Sequence, residues 1–174
     1  MPTAKQELGK LGEELVCRHS YCPRCKRAQT LKRLPHNFKC ADVICDFCGY
    51  LAQVKTSRSA VLDSVPDAVL GAAWGPQKER MDSGIYFPLF LVLVSSDESY
   101  ACYYLSADLQ SPDIFSPRKP LSETARRAGW QGFMYVLQHK KAAFVRIFAN
   151  PSSPSEVGIT NSKSHEPTNH RGSS

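Results

Sequence analysis

The sequence predicts a mixed α/β fold: a central sheet flanked by helices, with a four-cysteine zinc-ribbon element inserted into it. Three observations predict it. An amphipathic stretch opens the chain, apolar segments of strand length recur between residues 50 and 148, and two C-x2-C pairs stand in the polar stretch that separates them.

The opening helix covers residues 5–19, KQELGKLGEELVCRH. Leu8, Leu11, Leu15 and Val16 recur at intervals of three and four and make one apolar stripe. Residues 20–49 are polar, basic and cysteine-bearing and match no periodic element. Residues 50–56, YLAQVKT, alternate as a strand does. Gln53 and Lys55 therefore share a face with Leu51, while Ala52 and Val54 point the other way. An antiparallel pairing of 41–44 with 51–55 brings Asp42 toward Gln53 and Lys55. Residues 67–82 are expected to be helical around Ala68 to Leu70, with a break at Gly75-Pro76.

The run 89–94, LFLVLV, is continuously apolar, as a central strand covered on both faces would be. A polar turn, Ser95 to Ser99, joins it to a second strand at 100–105, so the pair reads as a hairpin. Residues 106–120 hold Pro112, Pro117 and Pro120 and are expected to be largely loop. Ser122 is placed to cap a short helix over Glu123 to Ala128 that Gly129 ends. Residues 133–137 and 143–148 are expected to form a further hairpin around QHKK.

The chain has 174 residues, enough for one domain, taken here as 1–150. Residues 151–174 are rich in Ser, Pro and Asn and read as a disordered polar tail. No apolar run reaches the roughly 18 residues that a membrane span needs. The first residues lack the apolar centre of a signal peptide, so a cytoplasmic location without membrane association is expected. The net charge of +6 comes with recurrent basic clusters and favours a polyanionic partner, nucleic acid first.

Seven cysteines without a secretion signal argue for metal ligands over disulfides. Cys22-x2-Cys25 and Cys45-x2-Cys48, separated by nineteen residues, have zinc-ribbon spacing. Four thiolates complete a tetrahedron and leave no open position, so the expected Zn²⁺ is structural. It would hold a segment too polar to fold on its own apolar content. Cys17 and Cys102 read as packing residues, and Cys40 lacks a C-x2-C partner.

Asp42, Gln53 and Lys55 make a second constellation. An aspartate and a further oxygen ligand suit Mg²⁺, a hard cation, and a lysine beside them suits charge developing on a phosphate. On the first helix Glu13 and Glu14 both qualify as an added carboxylate. Alone, this pattern describes a solvated hairpin edge as well as a catalytic site.

Three stretches resemble the PD-(D/E)xK nuclease superfamily: Leu11-Gly12-Glu13-Glu14-Leu15-Val16, Asp42, and Gln53-Val54-Lys55 in place of (D/E)-x-K. More narrowly, the chain resembles the methyl-directed Dam-replacing family of restriction endonucleases. A four-cysteine site brackets the aspartate, and residues 118–132, RKPLSETARRAGWQG, match a basic stretch of that family. The resemblance implies a restriction-endonuclease-like fold and Mg²⁺-dependent cleavage of double-stranded DNA, with structural zinc. It implies catalytic roles for Asp42, Gln53 and Lys55, and its Gly-Glu step selects Glu13 as their helper. Mg²⁺ would lie on Asp42 and Gln53.

Arg126, Arg127, Lys119, Lys32 and Arg33 are the expected DNA contacts, with His36 beside them. Cutting both strands with one site per chain is served by a homodimer or by two successive nicks. The chain departs from the family in two ways. Gln53 replaces the usual acid, and the polar tail stands where methyl-directed relatives carry a winged helix. Cleavage directed or blocked by methylation is thus one reading, and a zinc-ribbon DNA-binding module with an inactive nuclease core is the other. A third is a small zinc-stabilised protein whose tail contacts RNA or an acidic protein.

Overall fold

A computed structural model describes residue 1, residues 3–35 and residues 38–150. The expected tail at 151–174 and His36 lie outside the described residues. Helix α1 (Ala4–His19) starts at Thr3, whose hydroxyl accepts the Gln6 N–H while the Gln6 side chain returns a bond to the Thr3 N–H. Strands β1 (Leu31–Arg33), β2 (Val43–Cys45) and β3 (Leu51–Arg58) follow. Then come β4 (Ala68–Trp74), α2 (Gly75–Asp82), β5 (Leu89–Val94) and β6 (Tyr100–Leu105). The chain continues through β7 (Phe115–Pro117), α3 (Glu123–Arg127), β8 (Trp130–Val136) and β9 (Val145–Asn150).

A six-stranded mixed sheet runs in the order β1-β2-β3-β5-β6-β9, and a three-stranded sheet in the order β4-β8-β7. Only β3 and β5 pair in parallel in the larger sheet. Strand β5 explains its own composition. Phe90, Val92 and Val94 enter a core with Leu15 and Val16 of α1, whereas Leu89, Leu91 and Leu93 enter a second core with Val69, Phe133 and Tyr135 of the small sheet. With both faces dry, the run has no reason to alternate. The expected 95–99 turn, the 100–105 strand and the cap of α3 are all present, with Ser122 Oγ accepting the Ala125 N–H and Gly129 at φ +82°.

Four expectations need correction. Residues 68–74 form a strand, because full pairing with β8 outweighs the local helix preference of Ala and Leu. Gly75-Pro76 starts α2 instead of breaking a helix, since a first-turn proline gives up an N–H that has no intrahelical partner. Residues 133–137 and 143–148 do not make a hairpin. β8 stays in the small sheet and β9 crosses to pair with β6. Leu11 is exposed, and Gly12 takes its place against the sheet.

That last change has a steric cause. A Cβ on Gly12 would lie 1.8 Å from Thr56 Oγ1, so α1 crosses β3 with backbone nearly on side chain. No described helix is long and apolar enough to cross a membrane.

Gly12→Ala should gain about 1 kcal/mol of helix propensity but lose more, since overpacking of this kind costs about 1–3 kcal/mol and here falls on a rigid crossing. Urea unfolding of Gly12→Ala, Thr56→Ala and the double variant checks this. Partial recovery in the double variant is the expected outcome, and strictly additive losses would refute the close packing.

Candidate active site and four-cysteine centre

The two C-x2-C turns are built alike. Lys26 N–H donates to the Cys22 carbonyl at 2.9 Å, and Gly49 N–H donates to the Cys45 carbonyl at 2.9 Å. The residue after each second cysteine is left-handed, Lys26 at φ 60° and Gly49 at φ 70°. The turns therefore point their thiols at a common centre. Cys22 and Cys48 sulfurs lie 3.6 Å apart, Cys25 and Cys45 sulfurs 3.7 Å, and all four fall within 4.8 Å of one another.

Four metal–sulfur bonds of about 2.3 Å in a tetrahedron give edges of about 3.8 Å, so the cluster fits a structural zinc ion. Cys22 and Cys45 are also part of the α1-side core, beside Leu31 and Val43. The other cysteines stand apart. Cys102 is buried in the sheet, Cys17 packs on the same core, and the Cys40 sulfur lies 3.6 Å from an Arg80 nitrogen.

The second knuckle is the tip of the β2–β3 hairpin, as its spacing predicts. Val43 pairs with Ala52 and Ile44 with Leu51. One step further, the Asp42 N–H donates to the Ala52 carbonyl at 3.0 Å, and the Asp42 carboxylate accepts the Val54 N–H at 2.7 Å. The carboxylate thus takes the position of a strand carbonyl where β2 ends. Glu13 reaches this open end from α1. Asp42 and Glu13 line one cavity of about 680 Å³, and Arg33 lines it too. Burial raises the Glu13 carboxyl above its ordinary value. The Arg33 hydrogen bond opposes this, Asp42 adds to it, and Lys55 is close enough to lower it.

Gln53 is 8% exposed, and its Oε1 accepts the Tyr135 hydroxyl at 3.2 Å. Burial, with the negative charge of Asp42 behind it, raises the Tyr135 phenol well above its ordinary value, so it stays a donor. The donor set of Asp42, Glu13 and Gln53 is all oxygen, which suits a hard cation.

The expected DNA contacts divide. Arg33 donates from Nε to Glu13 at 2.9 Å and lies 3.4 Å from Glu14, so it is committed to the carboxylates of α1. Lys32 is 3.8 Å from Asp46. Arg127 pairs with Glu123, Arg126 donates to the Leu121 carbonyl at 3.1 Å, and Lys119 is exposed. The α3 arm connects to the Asp42 loop. The Gly129 carbonyl accepts the Gly75 N–H at 2.8 Å, and Gln77 of α2 donates to the Cys40 carbonyl at 3.4 Å.

Tyr135 and Gln77 are not legible as site residues in the sequence. Tyr135 lies eighty-two positions from Gln53 and looks like any core aromatic. Gln77 sits in the segment where sequence pattern alone starts the helix too early.

A family model described as DpnI: Dam-replacing family matches residues 2–165.

Two outcomes are expected here. Tyr135→Phe leaves the buried Gln53 oxygen without its donor and should cost about 1–3 kcal/mol in urea unfolding. Tyr135→Phe with Gln53→Leu should recover most of it. Cys48→Ser should abolish stoichiometric metal in elemental analysis and remove hydrogen-exchange protection from β1 and β2. Retained metal or retained protection would refute the assignment of the cluster.

Proposed function

Since the chain belongs to the Dam-replacing family, we propose that it is a restriction-type endonuclease. It would hydrolyse phosphodiester bonds of double-stranded DNA with Mg²⁺, and adenine methylation would decide which DNA is cut. The observation that carries this reading is that Asp42 and Glu13 line one cavity at the open end of β2, with Lys55 close enough to lower the Glu13 value.

Each residue has a part. Asp42 and Glu13 would hold the catalytic cation, with the amide oxygen of Gln53 as a further ligand. The chemistry that Mg²⁺ would supply there is neutralisation of phosphate charge and activation of water. Lys55 sets its ammonium against the charge that develops on the scissile phosphate. Tyr135 orients Gln53. Zn²⁺ on the four cysteines holds the hairpin that sets Asp42 against β3. Arg126, Arg127, Lys119 and Lys32 meet backbone phosphates, and a homodimer would bring one site to each strand. The second reading, binding without cleavage, has one specific support: the uncharged Gln53 leaves the site one negative charge short.

One plasmid, prepared with and without adenine methylation, tests the proposal with wild-type protein and Lys55→Ala. Cutting of one preparation by wild type alone is expected. Intact plasmid with both proteins, together with a gel shift, would replace the proposal with the binding module.

Glu13 gives a pH dependence. Its folded value is raised, so the folded chain holds this proton more tightly than the unfolded chain, and the cost of ionising it is present above that value and vanishes as pH falls through it. A bound divalent cation favours the ionised form. The acidic limb of the pH–rate profile should therefore move to lower pH as Mg²⁺ rises, and Glu13→Gln should remove that movement.

A further inference from the structure

The zinc element carries charges that the proposed catalysis does not use. Arg27 follows the first cysteine pair by two positions, and Phe47 stands between Cys45 and Cys48. The two knuckles bring them together, with the guanidinium carbon 3.5 Å from the ring centroid. Phe47 is 55% exposed, so its ring would be an apolar blemish on a polar loop if nothing covered it. The stack covers one face and fixes the guanidinium by cation–π attraction. It leaves the in-plane N–H groups of Arg27 free for an acceptor.

Among the described residues Arg27 has no carboxylate partner, and neither have its exposed neighbours Arg24 and Lys26. Lys32 pairs in register with Ile44, two positions from Asp42, so it projects from the sheet face that Asp42 and Gln53 share. Among the described residues its one ion pair is the 3.8 Å approach to Asp46, and its Nζ donates to the Gln29 carbonyl at 2.9 Å.

We infer that the two knuckles form a docking surface for the sugar-phosphate backbone of duplex DNA, with Arg27 on Phe47 as its fixed contact and Arg24, Lys26 and Lys32 around it. The inference rests on the reading of duplex DNA as substrate. The scale agrees. Cys45 lies three positions along the strand from Asp42, about 10 Å, and one turn of duplex spans about 34 Å. A duplex whose phosphate lies at Asp42 reaches the knuckles within that turn. The same ion that holds the hairpin register would then hold the docking surface, because Arg27 and Phe47 come from different knuckles.

The test uses the full chain with its metal and a fluorescent duplex of about two turns, in buffer without added divalent cation, over a range of salt. The double variant Lys26→Gln, Arg27→Gln should lower the slope of log Kd on log salt by about 2, since each phosphate that a cation neutralises adds about 0.9 to it. Elemental analysis should show its zinc unchanged. Phe47→Ala should weaken binding while keeping most of the slope, because the charge remains and only its placement changes. A double variant that keeps the wild-type slope overturns the inference and leaves the nuclease reading standing. A wild type that binds no duplex overturns both. Tighter binding of duplex RNA than of duplex DNA at matched salt overturns the assigned partner.

Discussion

The gathering of four cysteine sulfurs within 4.8 Å is the constraint on which the site depends. Residues 20–50 have little apolar surface of their own, and their strands β1 and β2 have three residues each. Such strands cannot choose a register by burial alone. The knuckles choose it for them, because Cys45 and Cys48 fix where the hairpin turns and hence that Val43 faces Ala52. A slip by one residue would send Asp42 to the α1 side of the sheet and Val43 to the other. The carboxylate–amide bond from Asp42 to Val54 then closes the hairpin at its far end. Between these two pins the hairpin has no freedom left, which is what a site built on two elements of different origin requires.

Strand β3 works under two separate demands. Its α1 face carries Ala52 and Val54 in the first core and Thr56 against Gly12, so close that a single added carbon would not fit. Its other face carries Gln53, whose partner Tyr135 comes from the small sheet. An acid at position 53 would sit beside Asp42 in a place only 8% exposed, where desolvation and like charge both oppose ionisation. The amide avoids that cost and keeps an oxygen at the same point. The substitution therefore favours the folded chain even before any cation is bound.

Much of this is legible in the sequence. The zinc spacing, the β2–β3 hairpin, the β5–β6 pair and the cap at Ser122 all follow from local chemistry that tertiary contacts leave unchanged. Apart from Gly75-Pro76, whose proline opens a helix for a local reason, the failures share one cause: each involves a partner far away in the chain. Ala68 to Trp74 has the composition of a helix and becomes a strand because β8 offers it seven paired residues. Val145 to Asn150 sits a short turn from β8 yet belongs to another sheet, since β6 has an open edge and the small sheet has no further need of it. Leu11 satisfies the apolar stripe in sequence, but the stripe that matters is centred on Gly12, which has no side chain. Tyr135 cannot be found at all, because nothing local distinguishes a core tyrosine from one whose hydroxyl reaches a site.

These constraints meet in the charge at the open end of β2. Glu13 and Asp42 line one cavity, and burial first, with the Asp42 charge added to it, keeps the Glu13 carboxyl above its ordinary value even with an arginine at 2.9 Å. Arg33 is 38% exposed, so its attraction is partly screened by water and does not offset that burial. Lys55 also lowers the Glu13 value, and among the described residues it closes no ion pair with either acid. Two cations stand near two acids, yet they do not fully offset the cost of burying the Glu13 charge. Thiols set the register of one of these elements and a glycine sets the crossing of the other, so the fold places both acids at a point where keeping Glu13 ionised costs free energy.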